Sequence, residues 1–294
     1  MTEDRKIASR WRIELARELA ETYAKHESVR MIVLGGSPSR GLADAYSDLD
    51  VVVYWEEMDV PWLEGEPLAP KGAERKFFRK MGEEAFLESY YFGPLKADFG
   101  HSTVKAWESW VGPVLRAEDP SPPMQKAMAG FLEAVPLYGG DLVNDWQSRI
   151  AVYPDGLAPL MVRTHLRFFQ RGSLTHQGLE RGDILFFFDG LCMMLKNLLG
   201  VLAGLNRVYF CPSEPRWLEF ELESMLLKPR DCWPRMQKVL EGPQESAEDE
   251  VNELAREVLD LVEAHMPDVD ISRIRRGFET EVAPCFEKPE LGGK

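Results

Sequence analysis

The stretch Met31 to Trp55, MIVLGGSPSRGLADAYSDLDVVVYW, constrains this chain more than any other part of it. Two short apolar runs rich in β-branched residues, Val29–Leu34 and Leu49–Trp55, flank a polar turn. The turn opens with Gly35-Gly36-Ser37 and ends at Asp48-Leu49-Asp50. Runs of this kind read as strands, the second apolar enough to be central in a sheet. Asp48 and Asp50 stand two residues apart where side chains alternate between faces, so both carboxylates leave one face and can share a divalent ion. Gly36 lets the backbone approach a phosphate closely, and Ser37, opening a short helix, adds N–H and hydroxyl donors. A triphosphate held by the turn would then sit against metal held by the carboxylates.

Around this passage the pattern predicts a helix over Lys6–Lys25, with Ile7, Trp11, Leu15 and Leu19 as its apolar stripe. A proline-containing loop is expected over Glu56–Gly72 and a helix over Glu74–Met81. Two strands, Ala85–Phe92 and Leu95–Val104, should follow, joined at Gly93-Pro94. Three prolines within Ala117–Pro123 mark a boundary, giving expected domains at residues 1–118 and 119–294. Beyond that boundary helical patterns dominate: Met124–Val135, Leu157–Arg171, Asp183–Leu205, Pro215–Leu227 and Ser246–His265. In the last, Ser246 and Asp249 are placed for an N-terminal cap. The expected class is α+β, a small mixed α/β sheet followed by a C-terminal helical bundle.

The G-S-x10-D-x-D spacing at Gly36, Ser37, Asp48 and Asp50, with strands on both sides, resembles the signature of the DNA polymerase-β-like nucleotidyltransferase superfamily. The nearest likeness is to the aminoglycoside nucleotidyltransferases and to minimal nucleotidyltransferases that precede a helical domain. The resemblance covers about residues 29 to 104. It implies a third acid on a neighbouring strand, for which Asp98 in LKADFGHST is the candidate, as metal ligand and acceptor of the attacking hydroxyl's proton. It also implies two Mg²⁺ ions and ATP or another nucleoside triphosphate. The reaction would move a nucleoside monophosphate, AMP first among the candidates, onto a hydroxyl of a small-molecule acceptor, in one version aminoglycoside-like. The alternative is a regulatory module on the same fold, protein-modifying or antitoxin-like.

Two cations join the candidate nucleotide site. Arg40, three residues after Ser37, is placed to reach the β- or γ-phosphate or to lie at the surface. Lys196 sits in an otherwise apolar helix, where a cation needs a partner: the triphosphate, Asp189 or another acid. The run Asn206–Phe210 with Arg216-Trp217 suits base stacking or helix packing. Ala97-Asp98-Phe99-Gly100 imitates a kinase DFG, but no HRDxxxxN loop and no Walker A sequence accompany it. Arg171 and His176 match the loose R-x4-H spacing of a helical ribonuclease motif, which a chain of this composition yields by chance.

Charge narrows the partners. With 49 acids against 35 Lys and Arg the net charge is −14, which disfavours a general nucleic-acid binder and either serves solubility alone or favours cationic substrates. Four cysteines with no CxxC pair and an N-terminus without an apolar signal region point to reduced thiols and a cytoplasmic location. No membrane partner is expected, because Ile184–Leu205, the most apolar stretch, carries Asp189 and Lys196.

Overall fold

The computed structural model describes residues 2–286, in two compact units that divide between Pro154 and Asp155. In the first unit the order is α1 (Glu3–Ala24), β1 (Val29–Leu34), the single turn α2 (Gly36–Ser39), β2 (Leu49–Trp55) and α3 (Val60–Glu64). Then come β3 (Glu74–Gly82), β4 (Ala85–Phe92), β5 (Leu95–Thr103), α4 (Val104–Leu115), α5 (Pro122–Leu132), β6 (Val135–Tyr138) and α6 (Gly140–Ala151). The second unit is helical: α7 (Leu157–His165), α8 (Ser173–Gln177), α9 (Ile184–Asn206), α10 (Leu218–Ser224), α11 (Cys232–Glu241), α12 (Gln244–His265) and α13 (Ser272–Glu279). The chain is thus α+β, a mixed sheet with helices followed by a helical unit, as the pattern predicts.

The six strands lie in the order β3-β4-β5-β2-β1-β6. Only β2 and β5 run parallel, which requires the chain to cross from one to the other through α3, β3 and β4. One face of the sheet is covered by α1: Ala16, Leu19 and Tyr23 pack on Leu49, Val51, Val53, Tyr90, Ala97 and Phe99, all buried. On the other face Tyr54 meets Trp107 and Phe131 edge-on, and Trp107 stacks on Phe131 at 4.9 Å.

Several expectations differ from the structure. The expected loop Glu56–Gly72 contains α3, the helix expected over Leu157–Arg171 ends at His165, and Val135, expected to end a helix, opens β6. Glu74–Gly82 is a strand rather than a helix. The Phe78–Met81 spacing imitates a helical turn, but Phe78 instead stacks across the hairpin on Phe86, ring centroids 5.6 Å apart. The division between units falls after Pro154, later than the proline-rich segment, because β6 pairs with β1 and so ties residues beyond 118 to the sheet. The strand β6, only four residues long with Pro136 inside it, lies at the sheet edge where a missing N–H is tolerated. Finally, α12 starts at Gln244, and the Ser246 hydroxyl donates to the Pro243 carbonyl instead of capping.

Helix α9 is long and apolar enough to cross a membrane by length and composition. In the structure it is the central helix of the second unit, with Leu191, Leu198, Leu199 and Leu202 buried in one cluster with Val162 of α7, Val239 of α11 and Val258 of α12. Its residues 184–186 stay exposed.

A charged group lies inside the core of the first unit. Glu88 is fully buried, and its Oε1 accepts from Tyr23 (2.9 Å) and His101 Nε2 (3.0 Å). Its Oε2 accepts from Tyr90 (2.8 Å) and Arg75 (3.2 Å). Trp55 Nε1 donates to His101 Nδ1, which leaves Nε2 as the nitrogen that carries hydrogen toward Glu88. A buried charge needs such a full set of donors. Burial pushes the Glu88 pKa up, but the bonds from His101, Tyr90 and Tyr23 outweigh it and hold the group below its ordinary value. The stabilisation is therefore complete above the unfolded glutamate pKa of about 4.3 and is lost as pH falls through the folded value. In urea unfolding, the stability gap between the wild type and Glu88→Gln should be widest above about pH 5 and should narrow with acid. A gap independent of pH would mean that the bonds do not depend on the charge.

Candidate active site

The carboxylates are assembled by strand register. In the parallel pair, Asp50 of β2 stands directly opposite Asp98 of β5. Asp48 lies two residues before Asp50, on the same face. One oxygen from each of Asp48, Asp50 and Asp98 lies within 4.8 Å of the others. Mg²⁺ holds oxygens at 2.0–2.1 Å, so opposite ligands stand about 4.2 Å apart, and the triad needs only small adjustments to fit such an ion. All three donors are hard anionic oxygens, the chemistry that Mg²⁺ or Mn²⁺ prefers over soft metals.

Crowding shows in the proton affinity of Asp50. Its carboxylate is reached by solvent, yet the surrounding protein desolvates it, and Asp48 and Asp98 repel its charge. Together these raise its pKa to about 6, against the opposing pull of Lys96 and Lys126.

The glycine turn closes on this group. Gly36 has φ +70°, and a Cβ there would lie 2.4 Å from Asp50 Oδ2. The Gly35 N–H donates to the Asp50 carbonyl at 2.8 Å, which fixes the turn to the strand. The segment leading to Asp48 is fastened at three points: Leu42 N–H to the Ser37 carbonyl (2.9 Å), Ala43 N–H to Ser9 Oγ (3.1 Å) and Arg12 Nε to the Ser47 carbonyl (3.0 Å). Ser37 Oγ donates to Ser47 Oγ at 2.9 Å, so its hydroxyl helps to hold this loop.

Two candidate cations remain. Arg40 forms an ion pair with Glu133. Lys196 is exposed on α9 in the second unit, so the apolar helix places no demand on it for a partner. Arg207 pairs with Asp155, while Tyr209 and Phe210 are buried, and that run serves packing.

Three side chains at the carboxylates escape the sequence reading. Ser89 Oγ donates to Asp98 Oδ1, and Lys96 Nζ donates to Asp98 Oδ2, each at 2.6 Å. Lys126 of α5 is the third, close enough to Asp50 to lower its pKa. Lys96 has a signal available, being two residues from Asp98 on one strand and hence on its face. Ser89 has one too: the Phe92–Leu95 hairpin closure fixes Ser89 opposite Asp98. Nothing local marks Lys126.

Two outcomes follow from this geometry. Gly36→Ala forces a left-handed backbone on a residue with a side chain and drives its Cβ into Asp50, so calorimetry should show divalent-ion binding at least tenfold weaker. Unchanged affinity would mean the turn does not set the position of Asp50. Because the folded pKa of Asp50 is raised, its ionisation costs stability once pH exceeds the unfolded value near 3.9. In the absence of metal, Asp50→Asn should therefore raise the thermal midpoint relative to wild type, the gain growing from about pH 4 to pH 6 and then levelling. A midpoint lowered at pH 7 would contradict this reading of the site.

A family model for the nucleotidyltransferase domain matches residues 14–90, which include Gly36, Ser37, Asp48 and Asp50 and stop short of Asp98. No curated protein matches the sequence. Among solved structures, the chain is similar to a nucleotidyltransferase-like protein from Exiguobacterium sibiricum 255-15, with 14% identity and a TM-score of 0.40 over 85% of this chain and 74% of that one. The matched segment folds into β1, the glycine turn and the carboxylate-bearing β2, so residues 14–90 carry the nucleotidyltransferase domain that the family model describes.

Proposed function

We propose that this protein transfers a nucleoside monophosphate, AMP from ATP as the first candidate, onto a hydroxyl of a small-molecule acceptor, with Mg²⁺ held by Asp48, Asp50 and Asp98. The observation that carries the reading is the convergence of three carboxylates on one point directly beside the Gly36 turn. The acceptor oxygen attacks the α-phosphorus, a new P–O bond forms, and the bond to the bridging oxygen breaks to release pyrophosphate. Asp98 takes the hydroxyl proton on a lone pair not used by Ser89 or Lys96. Bound divalent ions would supply charge neutralisation for the triphosphate and acidify the attacking hydroxyl. The glycine turn and α2 place the triphosphate, with backbone N–H groups facing it.

The acidic balance of the whole chain speaks for a cationic, aminoglycoside-like acceptor. The charges nearest the triad speak for the opposite, because Lys96 and Lys126 both act on these carboxylates.

The test is pyrophosphate release from ATP and Mg²⁺ by the full chain, with a panel of hydroxyl compounds added. Release should depend on acceptor and metal, and should fall by about a hundredfold or more in Asp48→Asn and in Asp98→Asn. Release that is undiminished in both variants, or no release with any nucleotide and acceptor, would overturn the reading.

A further inference from the structure

The two sides of the carboxylate triad differ in chemistry. On one side stand Gly36 and Ser37. On the other the sheet continues outward, and its pairings line up one row of side chains: Asp50 opposite Asp98, Asp98 opposite Ser89, and Ser89 opposite Phe77. Directly paired residues share a face, so Phe77 stands on the carboxylate face two strands out from Asp98, about 10 Å away at 4.8 Å per strand.

This placement depends on an irregularity in β3. The register shifts between Arg75 and Phe77, leaving Lys76 as the extra residue of a bulge. Arg75 and Phe78 therefore both turn to the core side, where Arg75 meets Glu88 and its guanidinium lies 4.9 Å from the Phe78 ring. Phe77 is left on the open side, 40% exposed. Arg79 pairs with Leu87, two residues from Ser89, and so belongs to that same face. It is exposed, and among the described residues no carboxylate pairs with it, in a chain that holds 14 more acids than Lys and Arg. Tyr91 and Lys96 are paired in register on this face too, next to Asp98. Lys80, the neighbour of Arg79, pairs with Phe86 and lies on the opposite face. Basic residues on an edge strand also deter aggregation, a role that Arg79 and Lys80 would share equally.

We infer that this part of the sheet, Phe77, Arg79, Tyr91 and Lys96, is the acceptor subsite, and that the acceptor is a small molecule carrying a flat ring and an anionic group within about 10 Å of the hydroxyl that reacts. The inference rests on the proposed nucleotidyl transfer. A ring lies over the exposed face of Phe77, and the anion is drawn to Arg79, whose planar guanidinium suits phosphate or carboxylate. The hydroxyl then reaches Asp98, while the triphosphate occupies the Gly36 side. A polycationic acceptor meets repulsion here from Arg79, whose charge no carboxylate offsets among the described residues.

The experiment uses three matched probes on the full chain without nucleotide: 4-(hydroxymethyl)phenyl phosphate, its neutral analogue 1,4-benzenedimethanol and the cationic 4-(aminomethyl)benzyl alcohol. Binding is read by ligand-observed NMR in the wild type, Arg79→Glu and Lys80→Glu, with a ten-nucleotide RNA as a polyanion control. The phosphate probe should bind the wild type in preference to the other two, lose roughly tenfold in Arg79→Glu and be unaffected in Lys80→Glu. Equal loss in both variants, preference for the amine, or binding of the RNA but not of the phosphate probe would overturn the subsite. None of these readouts requires turnover. A failure here with pyrophosphate release intact removes the acceptor assignment alone, whereas loss of acceptor-dependent release removes the proposed reaction.

Discussion

The site depends on one pairing, that of β2 with β5 in parallel. It sets Asp50 beside Asp98, which are 48 positions apart in sequence. An antiparallel hairpin would need only a short turn, but a parallel partner requires a crossover, and here the crossover supplies the β3–β4 hairpin. The segment that satisfies the topology thus also builds the outer part of the carboxylate face. On the core side of these strands, the Glu88 network ties β4 to β2 through His101 and Trp55, and to α1 through Tyr23. The buried charge links the same elements that hold the carboxylates in register.

Placing three carboxylates together costs free energy in the empty site, and the raised pKa of Asp50 is the visible sign of it. Lys96 and Ser89 each occupy one oxygen of Asp98, which keeps that side chain in position without metal. The contact between Gly36 and Asp50 leaves no room for any side chain at position 36. Constraint on the glycine is therefore twofold, a left-handed φ and an occupied Cβ position, and it comes from a carboxylate rather than from a phosphate alone.

Much of this was legible in the chain before folding. The strand–turn–strand of residues 29–55 and the single-faced spacing of Asp48 and Asp50 follow from alternation along a strand. Asp98 came from resemblance, and register then placed it. What stayed hidden has physical reasons. Glu74–Gly82 carries too few apolar residues for either period to stand out, and its strand identity comes from pairing with β4. The four-residue β6 has a proline inside it, a residue that argues against strand, so its membership of the sheet came only with tertiary pairing. Arg40 looked free to meet phosphate, since its partner Glu133 lies 93 positions away. Lys196 was flagged by its apolar neighbours, although the structure sets it on the exposed side of α9.

The central claim, that the β2–β5 pairing builds a divalent-cation site by crowding carboxylates, is tested most directly by the proton count of metal binding. Titration of the protein with Mg²⁺ by calorimetry, in buffers of differing ionisation enthalpy, gives the number of protons released. With Asp50 titrating near 6, binding at pH 6 should release on the order of half a proton, and binding at pH 8 almost none. Asp50→Asn should abolish the release. Binding without proton release at pH 6, or no saturable binding at either pH, would contradict the account.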